Sequence, residues 1–178
     1  MAKDIVIWPD KVLNTATRPV TDFEILPALF EEMDAAVREA EGIGLAANQI
    51  GVPLRAALVG RGDGTFIEVV NPSILEKKEK VTLREGCLSV PDEWEQTPRF
   101  KKVKVRYQDR HGAWHEQEAE GQLAHVFQHE IDHLDGTVYV MLLSPLKRGL
   151  IRERMEKLKR LLAQSQKEKE KEQEKEES

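Results

Sequence analysis

Apolar positions Leu26, Leu29, Phe30, Met33, Ala36, Val37 and Ala40 recur at three- and four-residue spacing, which predicts an amphipathic helix. Thr21 and Asp22 offer N-caps just upstream, Pro27 suits the first turn, and Gly42 stops the segment. From Leu54 to Glu118 the pattern changes to short β-branched runs, Ala57–Val59, Phe66–Val70, Val81–Leu83 and Val103–Tyr107, the last alternating apolar with basic residues. Turns rich in Gly or Asp separate them at Gly60–Gly64 and Asp109–Gly112. Gly121–Leu134 reads as a buried helix ending before Gly136, and Thr137–Met141 reads as a short strand. From Ser144 a last helix runs to about Leu162, with Leu146, Leu150, Ile151, Met155, Leu158 and Leu161 or Leu162 on one face. Strands in the middle and helices at both ends predict an α+β fold rather than alternating βαβ units.

Composition bounds this picture. The chain has 178 residues, enough for one domain with a full core and no disulfide or structural metal. Net charge is −5, which argues against a protein that works by coating nucleic acid, and no specific DNA binding is expected. Residues 164–178 hold four Lys, six Glu and no apolar side chain, so they read as a charged disordered tail or a frayed, solvated helix extension. The expected organisation is therefore a single catalytic domain over 1–163 and a tail over 164–178. Cys87 is the only cysteine, so no disulfide forms within the chain. The N-terminus lacks the features of a secretory signal or of an Arg/Ser-rich transit segment, and no stretch approaches a membrane span. The expected compartment is the cytoplasm, where a lone thiol stays reduced.

The strongest local chemistry is His129-Glu130-Ile131-Asp132-His133. Two His four apart on a helix lie about 40° apart around its axis, so both imidazoles can meet one metal ion. Glu130 stands beside that face, in the position of the general base of an HExxH motif. A catalytic metal needs a third protein ligand and an open position. Glu153 follows His133 by 20 residues, the interval of thermolysin-like metalloproteases, but it lies between Arg152 and Arg154 on a charged helix. Cys87, in Glu85-Gly86-Cys87-Leu88-Ser89, offers a softer thiolate, and Gly86 leaves room for close backbone approach.

A third segment, Gly42-Ile43-Gly44-Leu45-Ala46-Ala47-Asn48-Gln49, is too rich in small residues for a helix and lacks the pattern of a phosphate loop. GIGLAANQ, EGCLS and QHEIDH, in that order, resemble the three motifs of the peptide deformylases, bacterial type. The likeness extends to Pro9–Val20, Gly51-Val52-Pro53 and Leu143–Lys147, and covers about residues 5 to 162. It implies antiparallel β-sheets packed around a central HExxH helix, with an N-terminal helix and a C-terminal amphipathic helix. It implies hydrolysis of the N-formyl group from the N-terminal formylmethionine of new polypeptides, with release of formate.

By the same resemblance Cys87, His129 and His133 hold the metal, and Glu130 takes the proton of the attacking water and returns it to the leaving amine. The Gln49 amide and the Leu88 backbone N–H help hold the developing oxyanion. The substrate pairs in extended form with Ile43-Gly44 and Gly86, and a pocket near Ile43, Val126 and His129 takes the methionine side chain. One thiolate and two imidazoles accept several divalent ions. The resemblance implies Fe(II) in the cell, with Zn(II), Ni(II) or Co(II) in preparations. The competing readings are an endopeptidase that uses Glu153 as third ligand and a non-catalytic metal-binding relative.

Other positions carry smaller expectations. Trp94 either covers the bound peptide or anchors its loop. Arg99 pairs with Glu85 and so holds the cysteine loop. Asn48 stands where the family often has Pro. His125, one turn before His129, is expected to be a pocket-wall or partly exposed residue rather than a ligand, and His111 and His115 are expected to be solvated. Lys147–Arg160 holds seven Lys or Arg against two Glu. That patch resembles the C-terminal helix by which bacterial relatives touch the ribosome. The chain is expected to be a monomer.

Overall fold

The structure, a computed structural model, describes residues 2–176. Helix α1 spans Leu26–Glu39 and turns its apolar stripe inward, burying Leu26, Leu29, Phe30, Met33, Ala36 and Val37. Asp22 caps the short 3-10 turn that leads into it by accepting from the Glu24 N–H, and the Gly42 N–H closes its far end on the Val37 carbonyl. Strands β1 (Gly44–Ala46), β2 (Ala56–Gly60), β3 (Phe66–Cys87), β4 (Val90–Gln108) and β5 (Trp114–Glu120) follow, then helix α2 (Gln122–Leu134) and helix α3 (Pro145–Glu176).

The strands form one antiparallel sheet in sequence order, β1-β2-β3-β4-β5, rather than several separate sheets. Helix α2 packs against every strand of it. Phe127, Val126, Ala124 and Ile131 meet Val59, Val69, Val103 and Val105 in one core cluster. Helix α1 forms a second cluster with Leu45, Ala56 and Leu58, and the N-terminal segment forms a third with α3 through Trp8, Leu13, Val90, Tyr139, Ile151 and Met155.

Two expectations of local structure need correcting. Val81–Leu83 and Val103–Tyr107 are not separate short strands but parts of β3 and β4, a hairpin whose register breaks at three bulges. Charged residues such as Glu76–Lys80 interrupt the alternation that marks a strand, because this stretch faces solvent on both sides. Thr137–Met141 is not a strand: Tyr139–Leu142 form a 3-10 turn after Gly136, whose φ is +79°. Val138, Tyr139 and Val140 are buried without a ladder partner, while Met141 and Leu142 stay exposed.

Of the two forms expected for the tail, a disordered segment and a solvated helix extension, residues 164–176 take the second and continue α3, with nothing buried beyond Met155. Gln, Glu and Lys are good helix formers, and opposite charges three apart, as in Glu168/Lys171 and Glu172/Lys175, support the extension. The rest of the tail lies outside the described residues. No helix among the described residues is long and apolar enough to cross a membrane.

Candidate metal centre

Cys87 ends β3, and the two-residue turn Leu88-Ser89 returns the chain to Val90, its partner across the ladder. The next pair is Glu85 with Glu95, so Gly86 alone faces Pro91–Trp94. Asp92, with φ +62°, lets those extra residues bulge outward. Trp94 folds back over Gly86: a Cβ there would lie 2.7 Å from the indole Cε3. A side chain at this position would push the indole aside, and the wall next to the cysteine is that indole, 59% exposed.

His129 and His133 project from α2 toward this turn. The Cys87 Sγ lies 3.2 Å from the His133 Nε2, which lies 3.2 Å from the His129 Nε2. The three ligand atoms fall within 4.8 Å of one another, the one such group of His, Cys and carboxylate side chains found among the described residues. Glu153 is not part of it and sits exposed on α3. The structure thus brings together three of the four candidate ligands and leaves out the one on which the protease reading depends.

Glu130 is buried beside the group, its Oε2 without a hydrogen-bond partner. Burial pushes its pKa up to about 7. Gly44 lies directly against it, since a Cβ there would come 2.5 Å from the carboxylate Oε1 and 2.9 Å from Val126 Cγ1. Gln49 is fixed by the Ala46 N–H, which donates to its Oε1 at 2.9 Å. Its Nε2 then donates to the Ser89 Oγ at 3.1 Å and faces the Cys87 sulfur at 3.6 Å. Ile43 is exposed, and its carbonyl accepts from the Gly60 N–H. Strand β1 is the end of the sheet, so its outer edge has no strand neighbour.

Behind the ligands lies a buried ionic cluster. Arg99 reaches Glu85 through Nε to Oε1 (2.9 Å) and Nη2 to Oε2 (2.8 Å), and Asp132 through Nη1 (2.5 Å). The expected Arg99–Glu85 pair is therefore present. Burial opposes ionisation of Glu85, but the His125 hydrogen bond, the neighbouring His129 ring and the Arg99 pair outweigh it and hold its pKa well below the usual carboxylate range. Burial drives the His133 pKa well below the ordinary histidine value, which favours the neutral imidazole that a metal needs.

Three contributors escaped the sequence reading: Ser89, Asp132 and Thr97, which donates to Glu85 at 3.2 Å. The first two lie inside the recognised motifs, so position was the available signal; Thr97 had none. His125 is outside the ligand group and partly exposed, as expected, and it donates to Glu85 at 2.9 Å. Asn48 donates to the His133 carbonyl at 2.7 Å and so ties the GIGLAANQ segment to the end of α2. His115 is exposed, as expected, and also pairs with Asp109 and stacks on Tyr107. A cleft of about 400 Å³ between α1 and β3, lined by Asp34, Arg38, Glu68 and Arg110, lies elsewhere, and its charges pair with one another.

The donor set suits a catalytic metal: one thiolate and two imidazoles, no fourth protein ligand in the group, and an unpartnered carboxylate alongside. Comparison with known proteins points the same way. The polypeptide deformylase family model matches residues 2–149. A peptide deformylase of Acidobacterium capsulatum is 42% identical over 165 residues, covering 90% of this chain and 97% of the relative. One of Nautilia profundicola is 43% identical over 163 residues, covering 87% and 94%. The crystal structure of a peptide deformylase from Legionella pneumophila superposes with a TM-score of 0.85 at 40% identity, covering 92% of this chain and 98% of that one.

Proposed function

The chain belongs to the peptide deformylase family, and from that membership we infer how its own residues carry out the reaction. The reaction is metal-dependent hydrolysis of the N-formyl group from newly made polypeptides. The observation that carries the residue assignment is the meeting of Cys87, His129 and His133 beside the buried, unpartnered Glu130 carboxylate.

Cys87, His129 and His133 hold the ion. When bound, it supplies Lewis acidity that polarises the formyl carbonyl and makes water easier to deprotonate. Glu130 accepts the proton of the attacking water and hands it to the departing amine. Its pKa of about 7 suits both directions of transfer. The Gln49 Nε2, locked by Ala46 and Ser89, and the Leu88 backbone N–H steady the oxygen that gains charge. Ile43 and Gly44, on the open edge of β1, and Gly86 pair with the extended peptide backbone. Val126, packed on Gly44, walls the methionine pocket.

Among ions we favour Fe(II) in the cell, with Zn(II), Ni(II) or Co(II) as replacements in preparations. A thiolate ligand needs a reducing compartment, which supports the cytoplasm. Residues 1–163 act as one catalytic unit and as a monomer. The basic stretch of α3 is the contact to the ribosome. Within it Lys147 pairs with Glu95, Arg154 with Glu93 and Lys159 with Asp10, and Arg152 lies over Trp8. That leaves Arg148, Lys157 and Arg160 to meet phosphates. Reversing these three charges should reduce co-sedimentation with ribosomes without changing turnover of a free peptide, and equal co-sedimentation would refute the contact.

The direct test is formate release from a formyl-Met tripeptide by protein prepared without oxygen and loaded with Fe(II), Ni(II) or Zn(II), beside an unformylated protein substrate. Formate without internal cleavage is expected, with Fe(II) or Ni(II) ahead of Zn(II). Internal cleavage would return the argument to a protease.

A further inference from the structure

His125 and His129 lie four apart on α2, so both rings face the same buried carboxylate, Glu85. The Glu85 Oε1 accepts from the His125 Nε2 at 2.9 Å and from the Arg99 Nε at 2.9 Å. The Arg99 Nη2 also lies 2.7 Å from that oxygen, so both of its lone pairs are engaged. The Oε2 is taken by the Arg99 Nη2 at 2.8 Å and by the Thr97 hydroxyl at 3.2 Å. The His129 Nδ1 stands 3.6 Å from Oε1, outside hydrogen-bond range. The carboxylate placed to grip a ligand histidine by its second nitrogen is thus already saturated.

We propose that His125 is a positioning residue that limits how strongly Glu85 polarises His129. A full carboxylate bond to the Nδ1–H makes the other ring nitrogen a better donor. A better donor holds a cation longer but leaves it a weaker Lewis acid. By occupying Oε1, His125 keeps His129 at intermediate donor strength and favours turnover over retention. This rests on Cys87, His129 and His133 being the ligands.

The test uses the full chain loaded with Co(II), comparing wild type, His125→Leu and His125→Gln. Three quantities are read: the cobalt absorption bands, the rate of metal release to a chelator, and kcat and KM on a formyl-Met peptide. In His125→Leu, Oε1 loses its donor from α2 and keeps only Arg99, so it can turn toward His129. The cobalt bands shift, release slows about tenfold, and kcat falls by a similar factor with KM unchanged. His125→Gln, whose amide N–H can still donate to Glu85, returns all three toward wild type. A merely structural role would lower the melting temperature and leave the cobalt bands in place. Faster release, or unchanged bands in folded His125→Leu, overturns the proposal, and His125→Ala reads the same quantities if the leucine variant does not fold. Failure of the ligand assignment is separately visible, as a wild-type chain that takes up no Co(II) or a Cys87→Ala variant that keeps the thiolate-to-cobalt band, and it also overturns the proposal.

Discussion

Helices α2 and α3 both show an apolar stripe in sequence, yet they use their polar residues in opposite ways. In α2 the polar side chains face inward. His125 is bonded to Glu85, Gln128 to the Phe100 backbone, Asp132 to Arg99, and His129 and His133 face the cysteine turn. In α3 only Ile151 and Met155 are buried, and the polar residues lie in water or in half-exposed pairs. The lesson is one of dielectric. A charge in the interior is costly unless paired, so its partners are specified atom by atom, whereas an exposed pair is worth about 0–1 kcal/mol and specifies little.

The largest effect that separates the two helices is loss of a ligand at the α2 site. Cys87→Ala should lower metal affinity by more than the about 10–100-fold typical of losing a group that only orients a ligand, and formate release should fall with it. Glu153→Ala on α3 should change neither metal content nor turnover. Metal analysis and a formate assay decide, and the reverse ranking would restore the protease ligand set.

The next effect is on stability. Arg99→Ala leaves Glu85 buried without its main counter-charge and should cost about 3–5 kcal/mol, read by urea unfolding. Lys147→Ala removes an exposed partner of Glu95 and should cost less than about 1 kcal/mol. Equal losses would mean that the buried cluster is not special.

Within α3 the contrast can be sharpened further. Met155→Ala, in the cluster with Trp8 and Tyr139, should cost about 2–5 kcal/mol. Deleting everything from Ala163 onward removes no buried side chain and should alter stability by no more than about 0.5 kcal/mol. A large loss on truncation would show that the solvated extension is held by something other than its own helix propensity.

What the sequence discloses follows the same division. Helix α2, the inward face of α1 and the His129/His133 pair are legible because periodicity and motif spacing are local properties, and Cys87 joins that pair through the likeness of its motif to a family. The length of β3 and β4 is not, because bulges and solvent-facing charges erase the alternation. The turn at Tyr139–Leu142 imitates a strand because burial selects the same side chains with or without a ladder. The helical state of 164–176 is only one of two readings open to the sequence, because it depends on no burial at all. The partnership of His125 with Glu85 spans 40 residues and exists only once β3 lies beside α2. Arg99 could be paired with Glu85 in advance because both flank the cysteine turn within one hairpin, where antiparallel strands bring them close.

The central claim is that Glu130 moves the proton while Cys87, His129 and His133 hold the metal. Glu130→Gln separates those roles, because it keeps the shape of the side chain and removes the base. Measured together, formate release should fall by about 10²–10⁴-fold while the protein keeps one metal ion per chain. Unchanged turnover, or loss of the metal, would contradict the account.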